Sequence, residues 1–258
     1  MNNLFANVSR RAFLAGAASF STLLLSACDH GGGQTAAGGG SAGVSDTFRS
    51  VDDIKKAGAV NIGYFSDKAP FGYVDKDGKP AGYDVVFGMR LAKDLGVEAN
   101  YISTDGLNRV PFLQSNKADI MLANFTVTEE RAEKVDFSLP YMKIKLGIVS
   151  PESAVIKSVD ELKGKKLIVS KGTTAETYFE KNYPEVTMVK FDSYADAYNA
   201  LLDGRGDAFS TDNTEVLAWV KSNPGFVVGV DDLGNADTIA AAVHKGNTSL
   251  LEFINNEI

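Results

Sequence analysis

The chain has 258 residues, 44% hydrophobic and 23% charged, the balance of a soluble globular protein rather than a disordered, collagenous or multi-span membrane chain. Its formal net charge is -7, and an acidic body repels phosphate backbones, so nucleic acid is not an expected partner. A single cysteine, Cys28, and two histidines, His30 and His244, exclude an intrachain disulfide, a thiolate zinc cluster and most multi-histidine catalysis.

The first segment is an address. Arg10 and Arg11 stand just before an apolar run from Ala12 to Ala27, shorter than the ~20 residues of a spanning helix. The run ends Leu25-Ser26-Ala27-Cys28, which resembles the lipobox of bacterial lipoproteins, where the cysteine is acylated and becomes the new N-terminus. Residues 1–27 are therefore expected to be a lipoprotein signal peptide and Cys28 the lipidation site. The Arg-Arg pair followed by Phe13-Leu14 also resembles a twin-arginine export signal. Residues 28–46, rich in Gly, Ser and Ala, read as a flexible tether. Gly38-x-Gly40-x-x-Gly43 within it formally matches a dinucleotide fingerprint, but no strand pattern precedes it and no helix pattern follows.

Beyond Thr47, short apolar runs alternate with helical patterns. Ala59–Tyr64 is an expected strand and Tyr83–Leu95 an expected helix, with Val86, Phe87, Arg90, Leu91 and Leu95 at helical spacing. Asp119–Ala123 and Lys166–Ser170 read as strands, and Val186–Lys190, Asp207–Ser210 and Phe226–Gly229 continue the series. Ser158-x-x-Glu161 and Thr173-x-x-Glu176 fit capping boxes, the second opening a helix at Thr173. A further helix is expected from Asn213 to Lys221. The alternation predicts α/β architecture with largely parallel sheets.

Two stretches look alike. Leu113–Asp119 and Leu201–Asp207 each carry a helix end, a basic residue two before an aspartate, and a following strand. Five residues past each aspartate stands a polar residue, Asn124 or Asp212. Two lobes facing one another at their strand ends would form a cleft, where ligands sit in open α/β sheets.

The densest polar constellation is Asn124-Phe125-Thr126-Val127-Thr128-Glu129-Glu130-Arg131. A hydroxyl on Thr126, helix amides near Thr128 and the guanidinium of Arg131 suit a carboxylate. The same residues also fit a capped surface helix with Arg131 in an intrahelical pair. Thr173 and Thr174 either supply further donors or cap their own helix. Asp212 either accepts an ammonium group or caps the helix behind it.

Gly82-Tyr83-Asp84-Val85, then Ala118 through Arg131, then Val135-Asp136-Phe137-Ser138-Leu139-Pro140-Tyr141, in that order, resemble solute-binding protein family 3, the amino-acid receptors of bacterial ABC importers. Asn108-Arg109-Val110, Lys171-Gly172-Thr173-Thr174-Ala175 and Gly204-Arg205-Gly206-Asp207 with Asp212-Asn213-Thr214 are most similar to its cysteine-binding members. The resemblance runs from about Val51 to the C-terminus. Val86 departs from it, standing where many members carry an acidic residue, and members usually continue past the position of Ile258 with further helices on the first lobe.

The resemblance implies a two-lobed α/β fold of the periplasmic-binding-protein type II. Residues 47–143 plus 237–258 would form the first lobe and 147–232 the second, joined by two hinge strands and closing on one amino acid. By motif position Arg131 would bind the α-carboxylate, assisted by Thr126 and by amides near Thr173 and Thr174. Asp212 would bind the α-ammonium, Phe71 would wall the pocket, Asn124 would bear on specificity and Arg109 would reach the side-chain end. No cofactor or metal is called for. The expected protein is a monomeric, lipid-anchored receptor on the outer face of the cytoplasmic membrane, delivering a small polar amino acid, cysteine above others, to an ABC permease. The alternative on the same scaffold is a cyclohexadienyl (arogenate or prephenate) dehydratase, since fold does not dictate function.

Overall fold

The computed structural model describes residues 47–258; the expected signal peptide, Cys28 and the expected tether lie outside the described residues. The chain opens with α1 (Val51–Ala57), held by a full capping box between Ser50 and Asp53. Strand β1 (Ala59–Phe65) follows, then a small antiparallel sheet of β2 (Asp67–Lys68), β3 (Gly72–Val74) and β4 (Pro80–Ala81). Helix α2 (Tyr83–Leu95) spans the expected residues. Its N-cap, Gly82, has φ 114, and a Cβ there would meet the Phe71 carbonyl oxygen at 2.3 Å, so only glycine allows this entry.

Next come β5 (Glu98–Thr104), α3 (Arg109–Gln114), β6 (Ile120–Met121), α4 (Glu129–Ala132) and β7 (Val135–Pro151). The second half holds β8 (Lys166–Ser170), α5 (Thr174–Asn182), β9 (Thr187–Phe191), α6 (Tyr194–Leu202), β10 (Ala208–Asp212) and α7 (Asn213–Trp219). It ends with β11 (Phe226–His244) and α8 (Thr248–Glu257).

The main sheet runs β5-β1-β6-β11-β7-β10-β8-β9. The pairs β1–β5, β1–β6, β8–β9 and β10–β8 are parallel, as the strand-helix alternation requires. At the centre β7 and β11 pair antiparallel over most of their length. The register of β11 against β7 breaks between Val230 and Leu233 and again between Leu233 and Asp237. Such bulges bend a ribbon, and here they divide the parallel group β5-β1-β6 from the parallel group β10-β8-β9. The fold is thus the two-lobed α/β architecture, with two long strands crossing between the lobes.

Each lobe has its own core. Ile54, Val60, Ile62, Leu91, Ile120, Val243 and Leu250 pack in the first, and Ile148, Leu162, Leu167, Val169, Phe179 and Ala208 in the second. A third cluster holds Phe65, Met121 and Phe125 together with Tyr194, Tyr198 and Phe209, so apolar contact continues from one lobe to the other.

The two look-alike joints perform the same job. The Asp119 amide donates to the Asn61 carbonyl at 2.8 Å and its carboxylate accepts the Asn61 amide at 2.7 Å. Asp207 makes the same pair of bonds to Lys166, also at 2.8 and 2.7 Å. Each aspartate clamps a neighbouring parallel strand, which sets the register of the strand it precedes.

Several expectations change. The strand over 119–123 shortens to Ile120–Met121, because the chain turns into a left-handed residue at Asn124, φ 43. The short strand at 226–229 is instead the start of the 19-residue β11. The helix from Asn213 ends at Trp219 and closes with a 3-10 turn over Val220–Ser222. Ser158 does not cap: its segment is a 3-10 turn, and Glu161 accepts the amide of Lys157 instead. Thr173 does cap α5, but Glu176 reaches back to Gly172 rather than to Thr173.

Candidate ligand-binding site

The polar residues that follow the two clamping aspartates meet. Asn124 Nδ2 donates to Asp212 Oδ2 across the lobes. Asn124 is held from its own lobe too, because its amide donates to Asp84 Oδ2 at 2.7 Å, and Tyr141 donates to Asp84 Oδ1 at 2.8 Å. Burial pushes the Asp84 carboxyl up to about 6. Asp212 stands at the N-cap position of α7 but makes no capping bond with its side chain. Of the two readings of this residue, the structure rejects capping: its carboxylate points to Asn124 and to Lys68, 3.4 Å away.

The arginines converge on one carbonyl. Arg109 Nη2 and Arg131 Nη2 donate to the Gly172 oxygen at 2.8 and 2.9 Å, and Arg131 Nη1 donates to the Thr126 oxygen at 2.7 Å. Both guanidiniums stack on the ring of Phe125, at 4.5 and 4.9 Å from its centroid. Arg131 is therefore not a surface residue in an intrahelical pair; Glu130 takes Lys134 instead. Burial, and then repulsion from Arg109, lowers Arg131 to about 9. Burial likewise lowers Arg109. Two desolvated cations side by side, bonded to neutral carbonyls, form a place where an anion is stabilised.

Helix amides contribute less than expected at Thr128. Helix α4 has 4 residues, and the Arg131 amide is used by the Thr128 hydroxyl at 3.2 Å. Thr173 spends its hydroxyl as a cap, donating to the Ser170 oxygen at 2.6 Å and accepting the Glu176 amide at 3.3 Å.

Arg109, Asn124, Thr126, Thr173, Thr174 and Asp212 line one cavity together with Ala175, Tyr194 and Thr211. Its volume is about 10 Å³, near the minimum that holds one water. Arg131 lines an adjoining groove with Gly106 and Gly172, and Thr174 belongs to both. Phe71 is buried but is not among the lining residues; it lies beside Lys68, whose Nζ is 5.9 Å from its ring centroid. The lobes touch closely here, since a Cβ on Gly106 would meet the Lys171 carbonyl oxygen at 2.1 Å.

Sequence reasoning missed Lys68, Glu215, Asp84 and Tyr194. Lys68 sits in a turn-like Ser66-Asp67-Lys68-Ala69-Pro70 and is nevertheless fully buried. Glu215 stands in the first turn of α7, where it accepts from Lys68, Thr211 and Tyr198. The available signal was the Thr211-Asp212 strand end followed by Glu215 in the first turn of the next helix, which brings a hydroxyl and two carboxylates to one strand-helix joint.

The family model of bacterial extracellular solute-binding proteins, family 3, matches residues 60–258. A solute receptor for L-cysteine from Neisseria gonorrhoeae is 48% identical with a TM-score of 0.80, covering 81% of this chain and 86% of its own. A cysteine-binding protein from Campylobacter jejuni is 51% identical with a TM-score of 0.79, covering 81% and 85%. An ABC transporter glutamine-binding protein from Bacillus subtilis is 32% identical, covering 92% of this chain and 86% of its own length. These relatives are binding proteins, not enzymes. With a two-lobed fold and a charged site at the strand ends between its lobes, this chain belongs to the bacterial extracellular solute-binding proteins, family 3, as an amino-acid-binding protein of ABC import.

Proposed function

We propose that the protein captures a small polar amino acid, L-cysteine in preference to others, between lobes 47–143 plus 237–258 and 147–232. The observation that carries the reading is the separation of charge in the site: two guanidiniums converge at one end and the Asp212 carboxylate stands at the other. A zwitterion matches that arrangement, its carboxylate on Arg131 with Thr126 and the α5 start, its ammonium on Asp212. The carboxylate would take over donors now spent on the Gly172 and Thr126 carbonyls.

Side-chain preference rests on size, on charge and on likeness. At about 10 Å³ the cavity must open for any amino acid, and a bulky side chain must part the lobes furthest. Arg109 donates to the Gly106, Ala123 and Gly172 carbonyls. Pairing it with a glutamate side chain would break those bonds, and an arginine ligand would bring a like charge. A leucine side chain would leave Asn124 Oδ1, already without a hydrogen-bond partner, facing an apolar group. The likeness to two cysteine receptors supports the same choice. Competition binding under reducing conditions tests it: labelled L-cysteine should be displaced by glutamate, arginine or leucine only at much higher concentration than by cysteine itself. Displacement by glutamate at equal concentration refutes the preference.

Anchoring through acylated Cys28, export by the signal in residues 1–27 and a monomeric state complete the proposal. Cys28→Ala should shift the protein out of the detergent phase or block its processing, and unchanged partitioning would refute the anchor.

A further inference from the structure

Lys68 reaches out of its own hairpin, and the polar groups its Nζ contacts all belong to the second lobe. Its Nζ donates to Thr211 Oγ1 at 3.1 Å and to Glu215 Oε2, lies 3.4 Å from Asp212 Oδ2, and sits 3.9 Å from the centroid of the Tyr194 ring. The side chains of Lys68 and Glu215 are both 0% exposed. A buried ammonium is tolerated only when paired, and here one cation faces two carboxylates.

The two carboxylates are not equivalent. Both oxygens of Glu215 are engaged, Oε1 by the Tyr198 hydroxyl at 3.0 Å and Oε2 by the Thr211 hydroxyl at 2.8 Å, besides Lys68. Asp212 instead lines the cavity. Glu215 thus balances Lys68, and Asp212 is left as the negative charge that faces the space between the lobes. We infer that Lys68, balanced by Glu215, is a positioning residue: it is the fixed counter-charge, supplied from the opposite lobe, that keeps the Asp212 carboxylate available to a ligand ammonium. This rests on the reading of Asp212 as the ammonium site.

The groups facing Asp212 are Lys68 of β2, Arg109 of α3, Arg131 of α4, Tyr194 and Tyr198 of α6, Glu215 of α7 and Asp237 of β11, and Lys68 also faces Asp84 of α2, whose carboxyl it lowers. Lys68 is the cation that touches both carboxylates. Burial already raises Glu215, and Lys68 is the largest influence opposing that rise. Without Lys68, two buried carboxylates would share a site and take up a proton.

Urea unfolding of the protein between pH 6 and 8, together with calorimetry using L-cysteine and L-serine as probes, tests the inference. In Lys68→Met the folded state should hold one proton more than the unfolded state. Its stability then falls as pH rises, with an unfolding equilibrium constant growing up to about tenfold per pH unit relative to wild type. The affinity of Lys68→Met for L-cysteine should fall as pH is lowered. Lys68→Met/Glu215→Gln retains one carboxylate, so it should lose the excess pH dependence and regain affinity at pH 6. In Glu215→Gln, Lys68 turns to Asp212 and competes with the ligand ammonium, lowering affinity about tenfold or more at every pH. A Lys68→Met unfolding profile parallel to wild type overturns the inference. Should that variant not fold, wild-type affinity in Glu215→Gln overturns it. Wild-type protein that binds neither probe refutes the ligand reading, while the unfolding profiles still decide the role of Lys68.

Discussion

Gly106→Ala probes closure directly. Gly106 has no left-handed backbone to lose, so the substitution leaves each lobe free to fold. Its new Cβ would lie 2.1 Å from the Lys171 carbonyl oxygen, against 3.4 Å for an ordinary contact. The lobes must part by about 1.3 Å at this point. That displacement carries the Arg109–Gly172 and Arg131–Gly172 contacts, now 2.8 and 2.9 Å, out of hydrogen-bond range. A ligand carboxylate would take over the Arg131 donors, so of these two bonds only Arg109–Gly172 would persist in the liganded closed state, and its loss disfavours that state by ~1.5 kcal/mol, the low end for a bond to a charged group because water replaces the lost partner. Ligand affinity, which draws on the closed state, should drop roughly tenfold. Calorimetry with L-cysteine measures it, and thermal unfolding without ligand confirms an intact fold. Affinity within threefold of wild type would show that the lobes do not need this contact to close on a ligand.

Arg131→Ala and Asp212→Ala should each weaken amino-acid binding at least about 30-fold, since truncating one partner of a desolvated charge pair costs ~2–5 kcal/mol; native affinity by calorimetry would assign that residue a structural role alone. Asp84 is raised to about 6 by burial, so the stability it contributes is present below its unfolded value and lost as pH rises through 6. Asp84→Asn should remove up to ~1.4 kcal/mol per pH unit of that slope between pH 4 and 6, read by urea titration; an unchanged slope contradicts the burial argument. Asp119→Ala should cost about 2–4 kcal/mol, because its carboxylate holds both the Asn61 amide and Arg49. Asp207→Ala, whose bond to Lys166 is solvent-exposed, should cost about 1 kcal/mol; equal losses in denaturant titrations would mean the two clamps carry equal load.

Much of the fold was legible along the chain. Helix Tyr83–Leu95 and strand Lys166–Ser170 were read to the residue, because periodicity and Gly or Thr caps are local signals. The Leu113–Asp119 and Leu201–Asp207 likeness was legible for the same reason: each aspartate acts on the strand beside it. The motif order around Asn124–Arg131 led to the family, and with it to most of the residues around the cavity. Most failures lie where a partner is distant, but one local signal failed as well. Ser158 has the spacing of a capping box, yet its segment is wound as a 3-10 turn.

The sequence by itself determined the α/β class, the places where polar groups end the strands, and the charge types available there. Tertiary structure alone decided which of those groups meet. Nothing local pairs Asn124 with Asp212, brings Arg109 and Arg131 to one carbonyl, or carries Lys68 under Tyr194. Capping and periodicity act within a few residues, whereas a charge on one lobe is neutralised by whatever the closed fold sets opposite. Asp212 could equally have been a helix cap, and only the position of the other lobe turned its carboxylate to the cleft.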